Sequence, residues 1–222
     1  MLAGGTGSRM GRPKQFIELL GTPALAYTLR AFERAPSVDR ICVVGDARRV
    51  GELAARERIS KYAGCSTPGA ARSLSARNGL RELEAGPQDL VLIHDGSRCL
   101  LTPSLVERVI GAARRGADGV IPALPVSDTI KVVEEGVVRK TLDRGSLWAV
   151  QTPQAFRFGV LERVFDISEE LLARATDDAS LIEGFGGRIE IVEGEKTNIK
   201  LTSPEDLIFA EAILESRRGG GP

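Results

Sequence analysis

Short apolar or β-branched runs alternate along this chain with longer stretches whose apolar residues recur at helical spacing. Ile41-Cys42-Val43-Val44, Leu90-Val91-Leu92-Ile93, Val120-Ile121-Pro122-Ala123-Leu124 and Ile189-Glu190-Ile191-Val192 read as strands. Helices are expected at about 24–34, 50–61, 74–84 and 104–115. In the last of these, Leu105, Val109, Ala112 and Ala113 share one face, and Thr102-Pro103 supplies a cap and a first-turn proline. Such alternation predicts an α/β fold, a mostly parallel sheet with helices on both faces. One segment breaks the rhythm. Ile130–Val133, Glu134-Glu135-Gly136 and Val137–Lys140 form a strand-turn-strand pattern with glycine in the turn, expected to protrude as a β-hairpin arm.

Length and composition narrow the picture. With 222 residues, no internal repeat and no linker-like stretch, the expectation is one domain over 1–216. Its β-arm covers about 126–150, and a disordered tail occupies 217–222. Thirty basic side chains balance thirty acidic ones, which argues against a polyanion binder such as a nucleic-acid-binding protein. No apolar run is long enough to span a membrane, and the glycine-rich start has no signal-peptide core, so a cytoplasmic protein is expected. Cys42, Cys65 and Cys99 are too scattered for a disulfide framework and are expected to be reduced thiols. His94 is the one histidine, which excludes a His-rich zinc site and disfavours a Ser-His-Asp triad.

The most informative stretch is Leu2-Ala3-Gly4-Gly5-Thr6-Gly7-Ser8-Arg9-Met10-Gly11-Arg12-Pro13-Lys14-Gln15. It is not a P-loop, because no Gly-Lys-Ser/Thr closes it. Nor is it the dinucleotide fingerprint, because Met10 stands where that motif has its third glycine. Gly4, Gly5 and Gly7 allow close backbone approach and aim N–H groups at an anion. Arg9 and Lys14 add two permanent cations. This is the composition of a triphosphate cradle that stabilises charge during phosphoryl transfer.

That loop resembles the signature of nucleotidyltransferases that join a nucleoside triphosphate to a phosphorylated sugar or polyol. Further blocks follow in order: Gly69-x-x-Arg72-x-x-Ser75, His94-Asp95-Gly96-Ser97-Arg98, Asp128-Thr129-Ile130-Lys131, Leu147–Phe156, Thr176-Asp177-Asp178-Ala179-Ser180 and Asn198-Ile199-Lys200-Leu201-Thr202. Together they resemble the 2-C-methyl-D-erythritol 4-phosphate cytidylyltransferase family, over nearly the whole chain. The resemblance implies a Rossmann-like α/β fold. It also implies cytidylyl transfer from CTP to 2-C-methyl-D-erythritol 4-phosphate with release of pyrophosphate, in isoprenoid precursor synthesis.

Several roles follow from the resemblance. Arg9 and Lys14 would stabilise the triphosphate in the transition state, and Lys200 would steer the attacking phosphate. Ala3, Gly4, Gly5, Thr6, Gly7, Gly69 and Ser75 would bind the nucleotide. Arg98, Thr141, Arg157 and Thr176 would contact the polyol phosphate. Asp95 lies just beyond a strand's carboxyl end and would help hold Mg²⁺. His94 is expected to be a packed strand-end residue rather than a catalyst. The family's arm embraces a second subunit, so a homodimer is implied.

Three departures from the family pattern carry expectations of their own. Only Met1 and Leu2 stand where the family has a full apolar strand, so the innermost strand is expected to be nearly absent. His94-Asp95-Gly96-Ser97-Arg98-Cys99 replaces the usual His-Asp-Ala-Ala-Arg-Pro while keeping the aspartate and arginine. The family's arginine after Gln-Thr-Pro-Gln falls at Phe158 by counting, and Arg157, one place early, is taken as its substitute. The rival readings are a ribitol or ribulose 5-phosphate cytidylyltransferase, a molybdenum-cofactor guanylyltransferase, and a non-catalytic nucleotide-binding regulator. The joint presence of Arg9, Lys14 and Lys200 argues against the regulator, since a binder has no need to steer an attacking phosphate.

Overall fold

A computed structural model describes residues 1–5, 7, 11 and 13–219. Eleven strands and eight α-helices run through the described residues. The first segment holds the two-residue strands β1 (Glu18–Leu19) and β2 (Thr22–Pro23), then helix α1 (Ala24–Arg34), strand β3 (Ile41–Val44), helix α2 (Ala47–Arg56) and strand β4 (Tyr62–Ser66). Helix α3 (Arg72–Arg81), strand β5 (Leu90–Ile93), helix α4 (Pro103–Ala113) and strand β6 (Gly119–Pro125) continue the winding. The arm follows with β7 (Lys131–Glu134), β8 (Val137–Thr141) and β9 (Trp148–Val150). Strand β10 (Gln154–Arg157), helices α5 (Phe158–Phe165), α6 (Glu169–Ala173) and α7 (Asp178–Gly184), strand β11 (Ile189–Glu193) and helix α8 (Glu205–Arg218) complete the chain.

The central sheet has the order β11-β6-β10-β5, with β9 joined to β6. Strands β6 and β11 are parallel, and β3 and β4 form a separate parallel pair. The expected α/β class holds, but the sheet is mixed rather than mostly parallel, since β9 runs antiparallel to β6. Strand β10 runs antiparallel to both β5 and β6. It re-enters the sheet directly from the arm, without the crossover helix that a parallel neighbour requires.

Alternation along the strands explains the helices on both faces. Leu90 and Leu92 pack toward the cluster formed by α1, α2 and α4, whereas Val91 and Ile93 pack toward that of α3, α5 and α7. Val120 and Ala155 belong to the first cluster, and Ile121 and Phe156 to the second. A period of two thus divides one sheet between two cores.

Local signals set the helix boundaries. Thr102 caps α4 through Leu105 N–H with Pro103 in the first turn, as its sequence predicts. Helix α2 begins earlier than the expected residue 50, because the Asp46 carboxylate accepts from Arg49 N–H. The expected tail from Arg217 is corrected in part. Helix α8 runs through Arg218, and the Arg217 guanidinium donates to Leu100 O at 2.9 Å and to Thr197 Oγ1 at 3.0 Å. Residues 220–222 of that expected tail lie outside the described residues.

Leu2 makes isolated parallel bridges to Val44 and to Asp95, tying the β3–β4 pair to the end of β5. Beyond it, β3 and β5 face each other across a cavity of about 470 Å³ lined by Met1, Ile41, Cys42, Leu90 and Leu92 among others. Among the described residues, Leu2 alone makes isolated bridges, one to each side. Cys42, Cys65 and Cys99 are free thiols. Among the described residues, no helix is long and apolar enough to cross a membrane.

Candidate active site

Several of the residues singled out by sequence, among them Ala3, Gly4, Asp95 and Lys200, lie where Leu2 meets the carboxyl ends of β3 and β5. Ala3 N–H donates to Val44 O at 2.8 Å, and Gly96 N–H donates to Leu2 O at 2.8 Å. The buried Gln15 amide donates to Ala3 O at 2.6 Å and to Gly5 O at 3.2 Å, fastening the glycine loop from below. A Cβ on Gly4 would lie 2.5 Å from Pro68 Cγ, so only glycine allows this loop to pass so close to the segment before α3. On that segment, Gly69 N–H donates to Ser75 Oγ at 3.0 Å, and the Ser75 hydroxyl donates to Ala71 O. The glycine loop and the Gly69–Ser75 turn therefore form one backbone-lined cleft. Thr6 and Arg9 lie outside the described residues; Gly7 has φ +70°, the left-handed conformation that favours glycine.

Asp95 sits at the centre of a charge cluster. The Arg72 guanidinium donates through Nε to Asp95 Oδ1 at 3.1 Å and through a terminal nitrogen to Asp178 Oδ2 at 2.6 Å. Lys200 Nζ donates to Asp95 Oδ2 at 2.7 Å. Two cations thus balance two carboxylates, as burial of this many charges requires. Burial alone would raise the Asp95 pKa, but Arg72 and then Lys200 outweigh it and hold this carboxyl well below the usual carboxylate range. Asp178 is fully buried, and there burial prevails and raises the pKa against the pull of Arg72.

Lys200 is placed by a locked loop. Gln151 donates to Glu195 O at 2.9 Å and accepts from Glu195 N–H at 3.1 Å, and the fully buried Asn198 donates to Thr152 O at 2.9 Å. Leu201 N–H donates to Ser97 O, and the Leu201 side chain is buried against Leu19, Leu100 and Leu214. Lys14 comes to the same loop, its Nζ donating to Leu201 O at 3.1 Å and Thr202 O at 3.3 Å. Lys14 and Lys200 are thereby brought together from opposite ends of the chain.

His94 is a structural residue, as its position predicts. Its Nε2 faces Arg98 O at 3.2 Å, a carbonyl that can only accept, so this nitrogen carries the proton. Nδ1 then accepts from the Thr152 hydroxyl at 3.0 Å, and Thr152 Oγ1 accepts from Asp95 N–H at 3.1 Å. Burial pushes the imidazole pKa down to about 3, so the ring stays neutral. This chain of bonds fixes the backbone of Asp95.

The expected polyol-phosphate residues divide. Arg98 lies beside the cleft, donating to Asn198 O at 2.8 Å and Val150 O at 3.2 Å, with its Nε buried and unpartnered. Thr176 is exposed just before Asp177, which caps α7. Thr141 is on the exposed arm, where its hydroxyl accepts from Lys131. Arg157 requires a correction. It pairs with Leu90 at the far end of β5 from Asp95, and its guanidinium donates to Gln88 O and Ala113 O. With Gln154 opposite Ile93, the two ends lie three residue steps apart, a rise of about 10 Å, so Arg157 does not reach the cleft.

Arg72, Thr152, Asp178, Gln151 and Asn198 were not assigned from sequence, although each lies in a block quoted for the resemblance. Their partners stand 23 to 106 residues away in the chain, a pairing that only the fold reveals. As to a divalent cation, Asp95 offers hard carboxylate oxygen, and no group of three or more His, Cys, Asp or Glu clusters as a metal site among the described residues. That donor set fits a cation such as Mg²⁺ that takes one carboxylate and completes its shell with water and substrate phosphates.

The family model for 2-C-methyl-D-erythritol 4-phosphate cytidylyltransferase (IspD) matches residues 1–216. A protein of that name from Rubrobacter xylanophilus is 61% identical over 223 residues, covering 100% of this chain and 96% of the relative. Its namesake from Geobacillus kaustophilus is 46% identical, covering 98% and 96% respectively. The crystal structure of the Thermus thermophilus enzyme of that name superposes with a TM-score of 0.79 at 31% identity, covering 96% of each chain. A 4-diphosphocytidyl-2C-methyl-D-erythritol synthase from Anaerococcus prevotii gives 0.81 at 32% identity, covering 96% of this chain and 93% of that one. The chain belongs to the 2-C-methyl-D-erythritol 4-phosphate cytidylyltransferase family.

Proposed function

We propose that this enzyme transfers the cytidylyl group of CTP to 2-C-methyl-D-erythritol 4-phosphate and releases pyrophosphate. The observation that carries this reading is the meeting of Lys14, Lys200 and Asp95 beside a glycine-lined cleft, in a chain whose relatives bear that activity in their names. A phosphate oxygen of the polyol attacks the α-phosphorus, the new P–O bond forms, and the α–β bridging oxygen leaves with its electron pair on pyrophosphate. The nucleophile is already ionised, so no general base is needed, in keeping with a histidine that stays neutral and buried. Catalysis then rests on alignment and charge neutralisation.

Backbone groups of Ala3, Gly4, Gly5 and Gly7, with Gly69 and Ser75, hold the nucleotide. Arg9 and Lys14 stabilise negative charge on the triphosphate, and Lys200 orients the incoming phosphate. Arg98 and Thr176 contact the polyol phosphate. Asp95 holds Mg²⁺, which when bound neutralises triphosphate charge. The enzyme works as a cytoplasmic homodimer, its arm embracing a second copy and contributing Thr141 to that copy's site. Apolar side chains support this use of the arm: Val133, Val137 and Val138 are each more than half exposed, and Trp148 is 42% exposed.

Incubation with CTP, Mg²⁺ and 2-C-methyl-D-erythritol 4-phosphate tests the proposal. Phosphorus NMR should show a diphosphate diester and free pyrophosphate in equal amounts. CTP binding without pyrophosphate release on any polyol phosphate would instead support a nucleotide-binding regulator.

A further inference from the structure

Arg72 stands at the first turn of α3, between the Gly69–Ser75 turn and two carboxylates from distant parts of the chain. Its guanidinium occupies Asp95 Oδ1, while Oδ2 faces Lys200. The two grips differ. Arg72 is only 26% exposed and is anchored at its other edge by Asp178, whose side chain is fully buried; Lys200 is 42% exposed and pairs with no second carboxylate among the described residues. Of the two Asp95 oxygens, Oδ2 is therefore the one that can be vacated. A planar, forked guanidinium can bridge two carboxylates at once, whereas an ammonium offers a point charge.

We propose that Arg72 is a positioning residue for nucleotide binding. By bridging Asp95 and Asp178, it fixes the Asp95 carboxylate with Oδ1 engaged, so that Oδ2 would be the oxygen available to hold a divalent cation. The same bridge ties the base-side turn at Gly69 to the start of α7, next to Thr176. Burying such a cluster contributes little net stability, because desolvation offsets the attraction. What it supplies is a fixed carboxylate orientation. This inference rests on the cytidylyltransferase reading and deepens it.

The test measures CTP binding by calorimetry across a Mg²⁺ titration, without the polyol substrate, for wild type, Arg72→Lys and the charge-neutral pair Arg72→Gln/Asp178→Asn. Groups that orient a metal-holding carboxylate typically affect affinity by 10- to 100-fold. Both variants should fold, as judged by circular dichroism, and should need about 10- to 100-fold more Mg²⁺ for half-maximal CTP affinity. CTP binding in excess EDTA should change by less than about threefold, whereas a merely structural role would lower it as well. Unchanged Mg²⁺ midpoints in the folded variants overturn the proposal. So does an equal loss of CTP affinity with and without Mg²⁺. If only one variant folds, its midpoint decides. Wild type that binds CTP with no Mg²⁺ dependence overturns both this inference and the assignment of Asp95 to the cation. Wild type that shows the dependence confines any failure to Arg72.

Discussion

Lys200 donates to Asp95 Oδ2 at 2.7 Å across 105 residues of sequence. A cation proposed to steer one substrate is thus parked on the carboxylate proposed to hold the metal. Three segments build this contact: the end of β5, the loop before α8, and the Gln151–Thr152 turn that locks that loop.

Replacing Lys200 with Ala should leave the fold intact, because its ammonium is half-exposed and the loop is held by Gln151, Asn198 and Leu201. Loss of a fixed electrostatic donor costs about 2.7–4 kcal/mol of barrier, or roughly 10²- to 10³-fold in kcat. Steady-state kinetics beside a thermal melt will separate the two effects.

Gly69 tests the cleft geometry. A Cβ there would lie 2.6 Å from Leu74 Cβ and 2.8 Å from the Leu74 carbonyl carbon, and backbone cannot yield cheaply. Gly69→Ala should destabilise by about 1–3 kcal/mol, as overpacking commonly does, and weaken CTP binding. Gly5→Ala meets no atom of the described residues within 4 Å and serves as the comparison for packing, read by denaturant unfolding.

Thr152 joins Asp95 N–H to His94 Nδ1. Thr152→Val keeps the shape but leaves two buried groups unpaired, at about 1–3 kcal/mol for each group so exposed to an apolar neighbour. The expected result is a lower unfolding midpoint, with kcat falling because the Asp95 backbone is freed.

His94 gives the fold an acid-sensitive limb. Its pKa is about 3 when folded, against about 6.5 in the unfolded chain, so between those values the unfolded chain holds the extra proton. Stability from this group is present above about pH 6.5 and is lost as pH falls toward 3, with a limiting slope of about 1.4 kcal/mol per unit. Urea unfolding in EDTA between pH 7.5 and 5 should show this slope in wild type and a flatter one in His94→Gln.

Much of the scaffold was legible in the sequence because its strands are short, apolar and bounded. The expected runs at 41–44 and 90–93 match β3 and β5, and the hairpin turn at Glu135-Gly136 carries the positive φ that its glycine allows. Strand β10 was not legible, since Gln154-Ala155-Phe156-Arg157 has no distinctive period and its direction depends on where the arm returns the chain. The short helices α6 and α7 likewise carry too few turns for a periodic signal.

The site was legible as a set of residue types and not as a set of contacts. Lys14, Lys200 and Asp95 could be named from their blocks, yet nothing in Gly69-x-x-Arg72 announces a bridge to Asp178. Arg157 shows the opposite failure. The family resemblance offers it for the substrate as a stand-in one place from the expected arginine, whereas strand register carries it to the other end of the sheet.

The central claim is cytidylyl transfer to one particular polyol phosphate, and the ratio of kcat/KM for competing acceptors tests it most directly. With saturating CTP and Mg²⁺, pyrophosphate release should favour 2-C-methyl-D-erythritol 4-phosphate over ribitol 5-phosphate by at least about 10²-fold, the scale of discrimination that a site hydrogen-bonding its substrate reaches. A ratio near one, or release with ribitol 5-phosphate alone, would contradict the account.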